Sequence, residues 1–152
     1  MDLQKTSYRL SVLSTKKPKT IYIQEVEEAL QSKYEGIQVC AAKTLGAWGD
    51  ARSQEKLKTF LTTLSKLRAR WGAITAAVDA LSPHLSSSDI PWVVNLALRE
   101  STPANRHVIF NLFSALPRDE LLAEMTREFN KGGIEAGEFT QARVALYRIR
   151  TG

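Results

Sequence analysis

The side chains that most often carry out chemistry in proteins are few and widely separated in this sequence. Cys40 is the only cysteine, and His84 and His107 are the only histidines. None of the three is paired with a nucleophile, a base or further ligands at a spacing typical of a catalytic pair or a metal cluster. The sequence therefore predicts no catalytic residue, no metal site and no cofactor.

Each of these side chains also has a structural interpretation. His84 follows a proline at a predicted helix end, where we expect it to cap carbonyl groups. His107 lies beside apolar residues near a helix start, so we expect it to be half-buried. Cys40 lies among apolar neighbours and is predicted to be a packed, unreactive thiol. A single cysteine also excludes an intramolecular disulfide.

Positive charge is concentrated in one part of the chain. The 152 residues include 21 lysines and arginines against 16 acidic residues, a net charge of +5, and the excess falls mainly between residues 33 and 70. Lys66, Arg68 and Arg70 lie at the predicted turn between two helices. Such a cluster attracts phosphates, acidic proteins or acidic membrane surfaces. The alternative is that these cations only cap helix carboxyl ends, where the helix dipole favours positive charge.

The elements that must position these residues are helices. Leu57, Phe60, Leu61 and Leu64 recur at i, i+3, i+4 and i+7, the pattern of one apolar helix face. Similar periodicity continues along the whole chain, whereas strand signals are scarce. The pattern predicts helices over residues 3–14, 21–33, 37–48, 53–66, 69–82, 89–100, 103–116, 118–131 and 138–150.

Polar residues ahead of several predicted helices indicate where those helices begin. Ser53, Ser88 with Asp89, and Thr102 each place a hydroxyl or a carboxylate near the free N–H groups of a first turn. The connections are short, so residues 1–152 are predicted to form one domain. No apolar stretch approaches the length that spans a bilayer, and no secretory signal begins the chain. We therefore expect a cytoplasmic protein without a membrane segment.

Apolar residues near helix ends recur with a regular period. Leu13, Leu45, Leu81, Leu116 and Ile149 each stand near a glycine, a proline or a loop, at intervals of 32 to 36 residues. Helix pairs repeated at this interval stack so that each pair buries one face against the next. The alternative is a helical bundle without repeats, in which the spacing is accidental.

The segment 39–50, VCAAKTLGAWGD, resembles the second helix and the closing turn of a HEAT repeat. Its alanines permit close helix approach, and its Gly-Asp ending turns the chain into the next pair. The resemblance implies an all-α fold, a right-handed α-solenoid of about four antiparallel helix pairs with the helix over 3–14 as an N-terminal half-repeat. HEAT proteins commonly bind a protein, and sometimes nucleic acid, along a concave face or an edge.

In such a stack the turns of successive pairs line one edge, and the cations at these turns form a basic ridge. We expect a non-enzymatic scaffold that binds a protein partner there. The candidate contact residues are Lys66, Arg68, Arg70, Arg99, Lys33 and Trp92. Trp92 opens a helix directly after a proline, and its ring is expected to be partly exposed. The alternative function is sequence-tolerant nucleic-acid binding through the same basic edge.

A catalytic alternative comes from the HEAT-like DNA glycosylases, which combine a basic concave surface with tryptophans and a carboxylate. Trp48, Trp71, Asp79 and Arg70 supply these residue types here. No recognisable catalytic motif accompanies them, and the chain is shorter than those enzymes. Tryptophans on periodic stripes usually belong to the core, which is where we expect Trp48 and Trp71. The prediction therefore stays non-enzymatic.

Overall fold

The computed structural model describes residues 2–64 and 71–151, and the regular structure in this part of the chain is helical throughout, with no β-strand. The all-α prediction is therefore confirmed. The helices are α1 (Leu3–Leu13), α2 (Thr20–Leu30), α3 (Glu35–Trp48), α4 (Ala51–Leu64), α5 (Trp71–Leu81), α6 (Ile90–Asn95), α7 (Pro103–Ile109), α8 (Arg118–Asn130) and α9 (Ala136–Thr151).

Two of the helices change their geometry part of the way along. Helix α6 continues as a π-helical segment, Leu96–Glu100, and α7 continues as a 3₁₀ segment, Phe110–Ala115. The predicted ranges 89–100 and 103–116 each cover one of these composite helices. The other described helix ends lie within a few residues of their predicted positions. The ends predicted at residues 66 and 69 lie outside the described residues.

The starts of the helices correct two of the predicted caps. Helix α4 begins at Ala51, ahead of Ser53, because Asp50 accepts a hydrogen bond from the Ser53 hydroxyl and its carbonyl accepts one from the Gln54 amide. Thr102 does precede α7, but its side chain makes no capping hydrogen bond. A first-turn proline explains the difference, since Pro103 fixes the helical φ angle and has no N–H to be capped.

The start of α6 has a reciprocal cap that involves Asp89 as predicted but Ser86 in place of Ser88. The Asp89 carboxylate accepts a hydrogen bond from the Ser86 amide at 2.9 Å, and the 3₁₀ turn Ser87–Asp89 leads directly into the helix. The cap therefore belongs to the short 3₁₀ turn that directly precedes α6. Sequence spacing alone favours Ser88, because it does not reveal the intervening 3₁₀ turn.

The helices pack in the order in which they follow one another along the chain. The odd-numbered helices form one series, in which α1 contacts α3, α3 contacts α5, α5 contacts α7, and the 3₁₀ continuation of α7 contacts α9. The even-numbered helices form a second series, in which α2 contacts α4 and α6 contacts α8. The link between α4 and α6 includes an ion pair from Lys58 to Asp89, just ahead of α6.

One connected apolar core runs between the two series and contains buried side chains from each of the described helices. Leu10 and Leu13 at one end of the chain and Ala142 and Leu146 at the other belong to the same core. Helices α3 and α5 approach most closely at Gly46. A Cβ atom added there would lie 2.6 Å from the Cβ of Ala80, so only a glycine fits this crossing.

Candidate functional site

The first turns of α3 and α5 lie against each other, and the start of α5 also contacts the last turn of α7. The Glu35 carboxylate lies against Gly72 and would come within 2.9 Å of a Cβ atom added there. The ring of Trp71 lies 5.8 Å from the ring of His107, measured between centroids, with 46° between their planes. These two contacts join the three helices. We call the group of Lys33, Tyr34, Trp71 and His107 the aromatic edge.

The side chains of the aromatic edge are exposed, and for Trp71 and His107 this differs from the prediction. Trp71 is 56% exposed and Tyr34 is 39% exposed. His107, expected to be half-buried, is also exposed. The expectations for Trp71 and His107 were wrong because periodicity indicates the side of a helix on which a residue lies but not how far the neighbouring helices extend. Trp71 is the first residue of α5, at the very end of its apolar stripe.

Among the described residues, Lys33 supplies positive charge at this edge. The ammonium group of Lys33 lies 5.3 Å from the centroid of the Tyr34 ring, within the range of a cation–π interaction. The predicted contacts Lys66, Arg68 and Arg70 lie outside the described residues. In the sequence, Arg70 directly precedes Trp71. Lys33 is thus the predicted contact residue that belongs to the described aromatic edge, whereas Trp71 was not among the predicted contacts.

Arg99, another predicted contact, makes several bonds within the fold. Its guanidinium donates to the Glu128 carboxylate at 3.0 Å, and to the carbonyl oxygens of Glu128 and Gly132, each also at 3.0 Å. Both carbonyls lie at the end of α8, so Arg99 caps a helix other than its own. Lys131 binds the same carboxylate, and hydrogen bonds from Lys131 and then Arg99 lower the pKa of Glu128.

Trp92 lies between α4 and α6 rather than at the aromatic edge. Its ring is partly buried against the core, and its indole Nε1 donates to the Thr62 hydroxyl at 3.3 Å. The Lys58 ammonium lies 5.7 Å from the ring centroid and binds Asp89. Burial is the largest single influence and opposes the charge on each partner. The hydrogen bond and the Coulombic attraction between them, helped by Glu55 beside Lys58 and by Ser86 beside Asp89, together outweigh burial, so the pKa of Lys58 is raised and the pKa of Asp89 is lowered. The ring thus fills the joint between two helices.

Two aromatic side chains cap helix ends in neighbouring pairs. The indole Nε1 of Trp48, at the end of α3, donates to the carbonyls of Leu13 and Lys16 beyond the end of α1, at 3.0 and 2.8 Å. His84, after α5, places its Nε2 2.8 Å from the Gly46 carbonyl in the last turn of α3. The prediction that His84 caps carbonyls is therefore confirmed. The cap from Trp48 was not predicted from the sequence, because the carbonyls that Trp48 binds belong to another helix.

The residues named for a catalytic alternative are not gathered in the described structure. Trp48 is partly buried and hydrogen-bonded to the α1 end, whereas Asp79 is exposed on α5. Arg70 lies outside the described residues. Cys40 is a free cysteine packed partly buried against the core. Within residues 2–64 and 71–151, no three histidine, cysteine or acidic side chains are grouped so that they could hold a metal ion.

Comparison of the chain with protein-family models, with curated proteins and with solved structures gave no match. The resemblance of residues 39–50 to a HEAT repeat therefore stays a prediction. In the part of the chain that the structure describes, no helix combines the length and the apolar character needed to cross a membrane.

Proposed function

We propose that this protein is a non-enzymatic interaction scaffold of the α-solenoid type, which binds a protein partner along the aromatic edge. The chain-order packing of the odd-numbered and even-numbered helices supports a repeated pair as the building unit. Equivalent caps point the same way, since Trp48 binds the end of α1 and His84 binds the end of α3. In a stack of this kind the turns that precede α3, α5, α7 and α9 share one border.

The observation that carries the proposal is the exposure of Trp71. A tryptophan ring that is 56% exposed leaves a large apolar area in water, and each Å² that a partner covers contributes about 25 cal/mol. Tryptophan is also among the residues that most often dominate the free energy of protein–protein binding. His107 lies beside Trp71, and Tyr34 is exposed next to Glu35, whose carboxylate lies against Gly72. The aromatic edge is therefore a better anchor for a partner than the half-buried Trp92.

The charge around this edge favours an acidic partner. Lys33 lies on the edge, and the sequence places Lys66, Arg68 and Arg70 just ahead of Trp71. Complementary charge raises the association rate and selects among partners more than it adds to affinity. We expect an acidic protein segment with one apolar or aromatic side chain that packs on Trp71. Arg99 stays a weaker candidate, because its guanidinium already binds Glu128 and the end of α8.

The proposal is tested by quantitative affinity capture with the full chain and two matched variants. Trp71→Ala removes the anchor, and Tyr8→Ala removes another exposed aromatic ring, 74% exposed, on α1. Loss of a central tryptophan costs about 2 kcal/mol in a typical interface, or about thirtyfold in affinity. We expect at least one protein that binds the wild type and Tyr8→Ala but is strongly depleted with Trp71→Ala. Identical protein lists for all three chains would contradict the proposal.

Nucleic-acid binding through the same edge is the second candidate, because exposed aromatic rings beside cations also form stacking platforms for single strands. Fluorescence anisotropy with a short duplex and a single strand at two salt concentrations separates the two functions. Nucleic-acid binding predicts affinity that falls steeply with salt and is lost on Arg68→Glu with Arg70→Glu. If neither nucleic acid binds at low salt, the nucleic-acid candidate is excluded and protein binding stays the proposed function.

A further inference from the structure

The outer side of α9 carries a second surface, distinct from the aromatic edge. Val144 is 46% exposed and Tyr147 is 41% exposed, and the two lie one helical turn apart. A shallow open depression of about 420 Å³ follows this side of the helix. Its lining residues are Thr140, Arg143, Val144, Tyr147 and Arg148. Adding Arg118, whose guanidinium carbon lies 5.0 Å from the centroid of the Tyr147 ring, gives what we call the arginine face.

The arginines of this face form no ion pair with any described residue. Elsewhere Arg9 binds Glu25, Arg99 binds Glu128 and Arg127 binds Glu124. Arg143 and Arg148, by contrast, are exposed and have no carboxylate partner among the described residues, and neither has Arg118. The single acidic residue of α9, Glu138, lies 3.5 Å from Arg106 instead.

Two of these guanidinium groups are held on aromatic rings rather than left to rotate freely. Arg143 lies 5.6 Å from the centroid of Phe139, whose ring stacks in turn on Phe129 at 4.5 Å. Arg118 lies over Tyr147, and its Nε is buried without a hydrogen-bond acceptor among the described residues. Stacking orients a guanidinium while its N–H edge stays available to a carboxylate or a phosphate. Arg118 and Arg143 are therefore oriented by aromatic rings of the fold itself.

We propose that the arginine face binds an acidic amphipathic helix of a protein partner. The apolar strip of Val144 and Tyr147 fits one apolar stripe of such a helix, and the flanking arginines fit carboxylates on either side of that stripe. The aliphatic contact from Val144 distinguishes this occupant from nucleic acid, which would use the arginines and stack on the Tyr147 ring. This surface does not depend on the aromatic edge, so the two proposals succeed or fail separately.

The experiment uses phage-displayed random 16-residue peptides selected on the full chain. Counter-selection uses the variant Arg143→Glu with Arg148→Glu. The matched control, Lys43→Glu with Arg52→Glu, makes the same change of charge at exposed positions on α3 and α4. Circular dichroism melting shows that each variant keeps its fold. A selected peptide is then synthesised and titrated against all three chains, and against Val144→Ser, which weakens the apolar contact without changing the charge.

We expect the selected peptides to be rich in Asp and Glu and to repeat apolar residues at i, i+3 and i+4. The affinity of the synthetic peptide should fall at least tenfold with the Arg143 and Arg148 substitutions and severalfold with Val144→Ser. It should stay within twofold with the Lys43 and Arg52 substitutions. Peptides without acidic enrichment, or with equal affinity for the variants, would overturn the proposal. So would a 20-nucleotide single strand that binds the arginine face more tightly than the peptide.

Discussion

Asn105 in α7 is a buried residue whose side-chain amide makes no hydrogen bond to a described residue. It is completely buried, and neither its Nδ2 nor its Oδ1 has a hydrogen-bond partner among the described residues. A buried amide without partners costs about 1–3 kcal/mol. Asn105→Leu keeps the number and branching of the side-chain heavy atoms and removes the two polar groups without partners. It should therefore raise the free energy of unfolding by about 1 kcal/mol, measured by urea denaturation.

The matched control for this prediction is Asn111→Leu, because Asn111 is exposed in the 3₁₀ continuation of α7. An exposed substitution of this kind usually changes stability by no more than about 0.5 kcal/mol. A destabilised Asn105→Leu protein beside an unchanged Asn111→Leu protein would show that the Asn105 amide has partners that stabilise the fold.

The Asp89 carboxylate links α4 to the start of α6 and should make stability depend on pH. Its pKa is lower in the folded than in the unfolded protein, so the stabilisation is complete above about pH 4 and is lost as the pH falls through the lowered value. Asp89→Asn removes the ion pair with Lys58. The variant should be about 1–2 kcal/mol less stable at pH 7 and should lose less stability than the wild type on acidification.

Urea unfolding at pH 7, 4 and 2.5 measures both effects. Asp79→Asn is the control, because Asp79 is exposed on α5. We expect its profile to follow that of the wild type. Parallel loss of stability with acid in the wild type and in Asp89→Asn would mean that other groups dominate the acid sensitivity.

For the three tryptophans, the helix to which each belongs was predicted from the sequence, whereas the surroundings of each ring were not. Periodicity assigned each of them to a helix, and the structure agrees. Their environments differ because they depend on neighbours far away in the chain. Trp48 donates a hydrogen bond to a carbonyl at the end of α1, and Trp92 donates one to the Thr62 hydroxyl on α4. Trp71 is the first residue of its helix and lies beside His107. Contacts between residues that are far apart in the chain cannot be predicted from the local spacing of apolar residues.

At the scale of elements, side chains from other helices donate hydrogen bonds to the free carbonyl groups at several helix ends. Gln38 on α3 donates to the Leu30 carbonyl at the end of α2, and Arg106 on α7 donates to the Ala97 and Ser101 carbonyls at the end of α6. Together with the caps from Trp48, His84 and Arg99, these bonds satisfy carbonyls that a helix end leaves without partners. Helix positions were predictable because they follow from local periodicity, whereas these caps depend on tertiary packing.

The crossing of α3 and α5 is tested by two glycine substitutions within one helix. Gly46→Ala places a Cβ 2.6 Å from the Cβ of Ala80 and should destabilise the protein by about 1–3 kcal/mol. Gly36→Ala meets nothing within 4 Å and should stabilise it by about 0.5–1 kcal/mol, because alanine is the better helix former. Thermal unfolding measures both. A Gly46→Ala protein as stable as Gly36→Ala would contradict the close crossing.

At the scale of the whole molecule, the order of helix contacts explains how distant side chains come to share a border. Because α3 contacts α5 and α5 contacts α7, side chains from the first turns of α3 and α5 and from the last turn of α7 become neighbours. From the sequence we predicted that the turns of successive helix pairs lie on one edge and that this edge is positively charged. The exposed rings of Trp71 and His107 were missed, since they were expected to be buried or half-buried. The arginine face was also missed, because an unpaired arginine is recognised only when the surrounding carboxylates are placed.

The most direct test of the central claim is photo-crosslinking from the aromatic edge. Benzoylphenylalanine replaces Trp71 in one chain and Tyr8 in another, and both proteins are irradiated in extracts of the source cells. We predict a discrete protein adduct from position 71 that position 8 does not give, since the partner packs on the edge formed by α3, α5 and α7. No adduct from position 71, or the same adducts from both positions, would contradict an interaction scaffold that acts through this edge.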